Sequence, residues 1–517
     1  MMMPRDDDHE TSPRAKRSRM TTLGQPPPQL NDDLFFDEIL TRVPPAAAAR
    51  CRSVCRAWNA ALTSAGFLRA YADRARSAAA REPELLFLVP AAAGISLYTC
   101  TLRIGDEAPR AAQELLTVGN LSADHVALMS PRPCHGLTLI LDARPHEASA
   151  SSGYYVCNLS TGQHVALPPC ERAAGSESAM APGRTRNGNR MQCRPWDRYE
   201  ISSVGLGFDP ATGTHKVARL FRRRMGKTVC EVCAPAADSG GWRWRPCAGR
   251  VPPPAASFVA GLPPVFVGGS LYWLVELSSF TSAVQPIMSF SVGAEQFGWV
   301  STPPLLARRI DALAVLDGSV CAIADFRVDS ERYGIFTWNG GNSNSWSMRC
   351  SINLQSLPQQ ISDEFLEEQH VLPLCSAAGG KILLATDSHK VFAYDPERVT
   401  MERVFYTKEF VDVPGGHRNA PLLLHVGLHE QSLVSVVQQQ QPTPPSSRLQ
   451  VKLGSDTVGK RQVSDEYRSS LVNFNRGLRN LFKDLARRQR RNTNNGAWAV
   501  SRARVQAGSS PLVRKSR

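Results

Sequence analysis

A short unit of sequence recurs five times between residues 136 and 406, and it limits the folds open to this chain. In each copy a glycine turn leads into an apolar strand, a second strand, a polar turn and a third strand that often carries tryptophan or valine. The copies span residues 136–168, 207–246, 268–305, 318–349 and 380–406. A sheet this small cannot bury its faces alone, so successive sheets must pack on one another in the order of propeller blades.

The two flanks of this region supply a sixth unit. Leu85 to Ile104 and Leu422 to Val437 are strand-like, but neither completes a unit by itself. If the flanks pair in one sheet, the ring closes with six units. The sequence therefore predicts an all-β, six-unit, propeller-like domain over residues 85–437, within an α+β multidomain chain.

The segment from Leu30 to Arg69 has a helical period instead. Two sets of apolar residues recur at helical spacing on either side of a turn at Pro44 and Pro45. The first set is Leu34, Phe35, Ile39 and Leu40, and the second is Val54, Trp58, Ala61 and Leu62. A unit of about 40 residues usually needs a metal, a disulfide or a partner to be stable. Because no second cysteine pair or histidine cluster lies here, we expect a partner protein to cover the surplus apolar surface.

This segment resembles the F-box, whose plant form reads roughly L-P-x-D-L-x-x-E-I-L-x-R-L-P-x-x-x-L-x-R-x-R-x-V-C-K-x-W. The matching residues are Leu30, Asp33, Leu34, Glu38, Ile39, Leu40, Arg42, Pro44, Arg50, Arg52, Val54, Cys55 and Trp58. The chain departs from the pattern at Asn31, Val43, Ala48 and Arg56, where proline, leucine, leucine and lysine are expected. The resemblance implies a small three-helix F-box, which with the helix after it covers residues 30–81.

The F-box resemblance also implies a partner and a set of contact residues. The partner is a Skp-family adaptor and, through it, a cullin–RING complex. The expected adaptor-binding residues are Leu34, Ile39, Leu40, Pro44, Val54 and Cys55. Trp58 and Leu62 are expected to form the core of the F-box itself.

Four motifs in the β region resemble the F-box-associated β domain of plant F-box proteins. They are CHGL (Cys134 to Leu137), GFDPATGTHKVARLF (Gly207 to Phe221), GGSLYWL (Gly268 to Leu274) and VFAYDPE (Val391 to Glu397). Asp209 and Asp395 each precede a proline and are predicted to start turns. Together the two resemblances imply the substrate-recognition subunit of an SCF (Skp–cullin–F-box) ubiquitin ligase, whose β domain holds a substrate protein. The residues that bind the substrate are not indicated.

Candidate chemical sites are weak, so the sequence predicts a non-catalytic adaptor without metal or cofactor. Gly226-Lys227-Thr228 ends like a phosphate-binding loop, but the required first glycine position is Phe221. Cys230 and Cys233 have metal-ligand spacing, yet residues three apart in a strand point to opposite faces and no second pair follows. The tryptophans at strand ends are predicted to pack blades, although one or two could line a central ligand mouth. They are Trp242, Trp244, Trp273, Trp299, Trp338 and Trp346.

The basic charge is concentrated in a tail. Val436 to Arg517 holds 17 Lys and Arg against 4 Asp and Glu, whereas the rest of the chain is nearly neutral. After a linker at 438–447, the tail (448–517) contains an amphipathic helix between Val463 and Leu485. The tail has three readings: a solvated tail or import signal, a nucleic-acid contact through phosphate neutralisation, and a helix for a partner groove or an acidic membrane surface. The second reading gives the alternative function, a nucleic-acid-associated interaction protein.

Two further segments have little apolar content. Residues 1–29 are predicted to be disordered, and their PRAKRSR cluster suits a nuclear import signal or a merely solvated patch equally well. Cys170 to Glu200 interrupts the strand pattern as a long polar loop. The 13 cysteines without framework spacing and the lack of a signal peptide predict a reducing compartment, the nucleus or the cytoplasm. The longest apolar run, Leu85 to Cys100, is too short to span a bilayer.

Overall fold

The computed structural model describes most of the β region and the helices before it. The described residues are 34–91, 94–104, 112–119, 126–142, 153–168, 202–222, 228–236, 241–252, 263–275, 287–307, 309–340, 345–368, 370–386, 388–410, 426–436, 450–453 and 457–458. The predicted disordered amino terminus, the loop at 170–200, the linker and the tail helix at 463–485 lie outside them.

Three α-helices follow a short irregular helical turn at the start of the described chain. A π-helix (Leu34–Ile39) continues as a 3-10 turn (Leu40–Arg42), and α1 (Pro45–Cys51), α2 (Arg56–Thr63) and α3 (Ala65–Arg81) come after it. Pro45 opens α1, since its fixed φ suits the first helical position. The sulfur of Cys55 caps α2 by accepting a hydrogen bond from the Trp58 amide (3.4 Å). Val54 therefore precedes the last F-box helix instead of lying in it.

The rest of the fold is a six-bladed β-propeller, as predicted. Blade 1 contains β1 (Glu84–Ala91), β2 (Gly94–Thr101) and β3 (Ala112–Gly119). Blade 2 contains β4 (Val126–Leu128), β5 (Thr138–Asp142), β6 (Gly153–Asn158) and β7 (Gln163–Ala166). Blade 3 contains β8 (Ser202–Asp209), β9 (Thr214–Arg222), β10 (Thr228–Pro235) and β11 (Trp242–Pro246).

Blades 4 to 6 repeat the four-stranded antiparallel pattern. Blade 4 contains β12 (Val265–Val267), β13 (Ser270–Leu274), β14 (Ile287–Ser291) and β15 (Phe297–Val300). Blade 5 contains β16 (Ile310–Leu316), β17 (Ser319–Asp325), β18 (Arg332–Asn339) and β19 (Ser345–Asn353). Blade 6 contains β20 (Val371–Ser376), β21 (Ile382–Thr386), β22 (Lys390–Asp395) and β23 (Thr400–Tyr406). Three short helices connect these strands: α4 (Pro304–Ala307), α5 (Arg327–Ser330) and α6 (Gln359–Leu366).

The ring closes where the two flanks of the β region meet. The strand β24 (Val426–Leu428) pairs antiparallel with β1, and Leu85 lies opposite Leu428. Blade 1 thus takes its first strand from the carboxyl-terminal flank and its next three strands, β1 to β3, from the amino-terminal side of the β region. The predicted pairing of the flanks and the count of six units are both confirmed.

Four of the five predicted units began one strand too late, and the unit at 207–246 began inside β8. In blades 2 to 6 a strand precedes the glycine turn, because that turn joins the first strand to the second. In blade 5, for example, Gly318 (φ 74°) lies between β16 and β17. Except for β8, the first strands are short or contain a bulge, which hides their period, whereas the glycine turns are conspicuous in sequence.

Part of the predicted tail belongs to the sheet of blade 1. The strands β25 (Gln450–Leu453) and β26 (Thr457–Val458) both pair with the outer strand β3. The sequence pattern did not predict strands in this segment.

The predicted turn-starting aspartates are confirmed. The carboxylate of Asp209 accepts a hydrogen bond from the Ala211 amide (3.0 Å), and that of Asp395 accepts one from the Glu397 amide (3.0 Å). The core lies between adjacent blades, as where Phe87 of blade 1 packs on Phe405 of blade 6. None of the described helices is long and apolar enough to cross a membrane.

Candidate functional site

The helices at residues 34–81, here called the helix cluster, have a core that one propeller residue completes. Its fully buried side chains include Ala48 and Leu62, and Tyr71 donates a hydrogen bond to the Val43 carbonyl (2.9 Å). Leu433, which follows β24, is buried in the same core. The helix cluster is therefore closed on one side by the propeller.

Hydrogen bonds hold this joint between the two regions. The Arg52 guanidinium donates to the carbonyls of Leu62 (3.3 Å) and Leu433 (2.9 Å). The Asn158 side-chain amide in turn donates to the carbonyls of Ser432 (3.1 Å) and Val434 (2.8 Å). The segment at 429–436, here called the closing segment, thus binds blade 2 on one side and the helix cluster on the other.

Four of the six predicted adaptor-binding side chains face outward. The Ile39 side chain is 43% exposed and that of Val54 is 63% exposed. Pro44 and Cys55 are exposed as well. Leu40 lies in the core of the helix cluster, so the outward surface does not include it. For Leu34 the structure describes the backbone alone.

The two predicted F-box core residues lie on the inner side. Leu62 is fully buried, and Trp58 is half-buried with its ring centroid 5.1 Å from that of Phe35. Ala48, where the F-box pattern has leucine, is fully buried too. This departure from the pattern therefore concerns packing inside the cluster and not the outward surface.

A cavity of about 270 Å³ lies among the first strands of the blades. Its walls come from β8, β12, β16 and β20 and from the loop between β4 and β5. Phe266, Leu206 and Pro264 make one side apolar, and Arg76 of helix α3 also lines it. The cavity therefore brings the helix cluster and five blades to one place.

The charged groups of the cavity are two arginines and one glutamate. Arg132 donates one hydrogen bond to the Val315 carbonyl (3.0 Å), and within the described residues it makes no ion pair. Burial raises the pKa of Glu430, although Arg76 and Arg132 oppose that shift. A guanidinium has five N–H donors, so Arg132 keeps donors for a bound group. An arrangement of apolar walls and a few convergent polar groups is typical of binding sites.

Two histidines fix the loop that forms the cavity wall. His135 has a left-handed backbone (φ 46°), and its ring lies 4.4 Å from that of Phe208. The buried His215 ring contacts the Cys134 carbonyl (3.1 Å), and burial lowers the pKa of His215 to about 4. His215 is therefore neutral at physiological pH and acts as a structural hydrogen-bonding group.

Sequence reasoning missed Arg76, Arg132 and Glu430. The three come from distant parts of the chain and have no shared motif, so only the fold brings them together. The six tryptophans point elsewhere: in the described part of the chain none of them lines this cavity, and they pack in the clusters between strands and blades.

The motifs that resembled metal or phosphate sites in the sequence do not form a metal site among the described residues. Cys230 and Cys233 lie in different apolar clusters, on the two sides of their sheet. Across the described ranges no group of three metal-ligating side chains forms. Gly226 and Lys227 lie outside the described residues, and Thr228 begins β10.

The comparison with known protein families agrees with the observed fold. The sequence profile of the "F-box associated beta propeller domain" family matches residues 119–413. No curated protein matches the chain. Among solved structures the chain is similar to the β-propeller domain of the Trilobed protease from Pyrococcus furiosus, at 10% identity and a TM-score of 0.28 over 63% of this chain and 95% of that one.

A second similar structure is the acylaminoacyl peptidase of Pyrococcus horikoshii, at 9% identity and a TM-score of 0.22 over 62% of this chain and 52% of that one. Similarities at these scores carry no functional information. The family match is different, because it covers more than half of the 517 residues and coincides with the observed blades. The chain therefore belongs to the family of proteins with an F-box associated beta propeller domain.

Proposed function

We propose that this protein is the substrate-recognition subunit of an SCF ubiquitin ligase, with the helix cluster as its F-box. The observation that carries the proposal is the two-sided nature of that cluster. One side is closed by Leu433 of the propeller, and the other leaves Ile39 and Val54 uncovered. Exposed apolar side chains of this size on a small helical unit are typical of a protein interface. A Skp-family adaptor is the partner that the F-box pattern of these helices favours.

The mechanism in this proposal is proximity without catalysis by the chain itself. The closing segment fixes the helix cluster to the propeller through the Arg52 and Asn158 hydrogen bonds. A substrate on the propeller is then held at a defined position from the ubiquitin-charged enzyme of the cullin–RING complex. Such positioning raises the effective concentration of the reacting groups.

Adaptor binding tests the proposal directly. The double variant Ile39→Asp/Val54→Asp should weaken binding to a purified Skp-family adaptor at least about 100-fold, because each apolar side chain contributes ~1.5–3 kcal/mol when buried and a charge must lose its water. Leu305→Asp is the matched control, since Leu305 is a comparably exposed apolar residue on α4 of the propeller. Equal binding by the double variant and the control would refute the adaptor assignment.

The cavity is the proposed substrate contact. Support comes from its apolar walls, the uncommitted donors of Arg132 and the contribution of Arg76 from the helix cluster. The double variant above cannot pass substrates on, so they should accumulate on it in cells. Adding Arg132→Gln to that variant should release the accumulated proteins, as measured by quantitative mass spectrometry of the captured material. Unchanged capture would place substrate binding elsewhere on the propeller while leaving the adaptor result intact.

A further inference from the structure

Two cysteines face each other across the outer hairpin of blade 3. In the pairing of β10 with β11, Glu231 lies opposite Pro246, so Cys230 and Cys247 form the next position of the same ladder. The Cys247 amide donates a hydrogen bond to the Cys230 carbonyl (3.2 Å). Hydrogen-bonded residues opposite each other have Cα atoms about 5.5 Å apart, and disulfides span Cα separations of ~4.4–6.8 Å. The backbone at this position is therefore spaced for a disulfide.

The side chains of this pair meet on one side of the sheet. Both are free cysteines that pack on the same apolar cluster, and the Cys247 thiol donates a hydrogen bond to the Gly249 carbonyl (2.7 Å). Cys230 is buried, whereas Cys247 is half-buried and lies beyond the last residue of β11. Cys233 lies on the other side of the same strand, in a different apolar cluster. Cys247 is thus the accessible member of the pair.

The surroundings make the two thiols unequal. The neighbouring Cys230 thiol lowers the pKa of the Cys247 thiol against the opposing effect of burial, and Arg245 acts in the same direction as Cys230. The Cys247 thiol and burial raise the pKa of Cys230. Since the thiolate is the reactive form of cysteine, Cys247 is the group that attacks an oxidant first.

We propose that Cys230 and Cys247 are an oxidation site that takes a peroxide and forms a reversible disulfide. The Cys247 thiolate attacks one peroxide oxygen, the O–O bond breaks, and a sulfenic acid remains on Cys247, while the leaving hydroxide takes up the proton that the thiol had released and becomes the first water. The Cys230 thiol then attacks that sulfur, the S–O bond breaks, and the second water leaves as the S–S bond forms. The two sulfurs supply the two electrons that reduce the peroxide. A dithiol reductant reverses the reaction by thiol–disulfide exchange.

The disulfide would restrain a contact between two blades. The Ala248 amide donates to the Glu295 carboxylate (3.3 Å), and Arg245 forms a bidentate pair with the same carboxylate (2.7 and 2.5 Å). Glu295 belongs to the turn between β14 and β15 of blade 4. Oxidation therefore links the strand that holds Cys230 to the segment that joins blade 3 to blade 4.

Peptide mapping of the full-length protein tests the proposal. The native protein is treated with hydrogen peroxide, free thiols are alkylated, and a non-reducing tryptic digest is analysed by mass spectrometry. The expected product joins the peptide of residues 228–243 to that of residues 244–250, is lighter by two hydrogen atoms than the separate peptides, and disappears with dithiothreitol. The melting temperature of the oxidised protein should rise.

Matched variants identify the partner of Cys247. Cys230 and Cys233 share one tryptic peptide, so Cys233→Ser is the control that should keep the linked product. Cys230→Ser and Cys247→Ser should each abolish it. The proposal is overturned if the wild-type protein keeps both thiols free under peroxide, or if the linked product survives in Cys230→Ser. Mapping of the wild-type protein needs no variant, so a misfolded variant does not decide the outcome.

Discussion

The propeller and the helix cluster bury their apolar side chains in different ways. Each blade packs between two neighbours, and β24 removes the free end of the ring by pairing with β1. The helix cluster has a neighbour on one side only, where Leu433 completes its core. Its other side leaves Ile39 and Val54 exposed. The closed ring of blades thus buries the apolar faces of its own sheets. The helix cluster, which is attached at one point, keeps an exposed apolar surface for a partner.

The closing segment is the part that both regions share, so removing it should have the largest effect. Truncation after His425 deletes β24 and Leu433, which opens the ring and uncovers the core of the helix cluster. We expect loss of the cooperative melting transition and rapid proteolysis of both regions. Truncation after Val458 is the control, because it keeps every described strand and should melt close to the full-length protein. Two intact regions in the shorter truncation would show that neither depends on the closing segment.

A change inside the helix cluster should separate the two regions. Leu62→Ala removes a fully buried side chain and should destabilise the cluster by roughly 2–5 kcal/mol, since the cavity left behind adds to the lost burial. Hydrogen exchange should then increase across residues 34–81 and stay unchanged across 202–246. Ile39→Ala is the matched control on the outward surface and should alter exchange little. Equal loss of protection in both segments would mean that the cluster and the propeller unfold as one unit.

Acid should destabilise the propeller through His215, whereas the helix cluster contains no histidine. The pKa of His215 is about 4 in the fold, below the value of about 6.5 for an unfolded histidine. The unfolded chain therefore binds the proton first, so the contribution of His215 is complete above pH 6.5 and is lost as the pH falls towards 4. The full loss in the free energy of unfolding amounts to about 3 kcal/mol.

The His215 effect is measured from urea unfolding between pH 4 and 7. In His215→Gln this part of the pH dependence should disappear, whereas His164→Gln on the half-buried strand β7 should keep it. The helix cluster contains no histidine, so its protection factors against hydrogen exchange should not follow the same pH profile. An unchanged pH profile in His215→Gln would exclude this residue as the source.

The two regions also differ in how far their structure could be read from the sequence. The helices follow from local spacing, although that spacing placed Val54 in the last helix, and the outward residues Ile39 and Val54 were predicted from the F-box resemblance. The count of six blades was predictable from the strand units and the two flanks, but the first strands β4, β12, β16 and β20 were not, because the glycine turn marks the second strand more clearly. The cavity residues Arg76, Arg132 and Glu430 and the pair of Cys230 with Cys247 depend on tertiary placement and strand register. No spacing in the sequence predicts the cavity residues or the cysteine pair.

Two glycine substitutions test how the closing segment is held against the propeller. Gly136 has a φ of 79°, and a Cβ there would lie 2.1 Å from the Ser432 hydroxyl oxygen of the closing segment. Gly213 has a φ of 65° with no atom near the added Cβ. Gly213→Ala should therefore cost about 1–2 kcal/mol for the left-handed backbone alone, and Gly136→Ala should cost a further ~1–3 kcal/mol for displacing the closing segment. If chemical denaturation shows the same loss in free energy of unfolding for the two variants, the contact of Ser432 with the loop between β4 and β5 does not hold the closing segment in place.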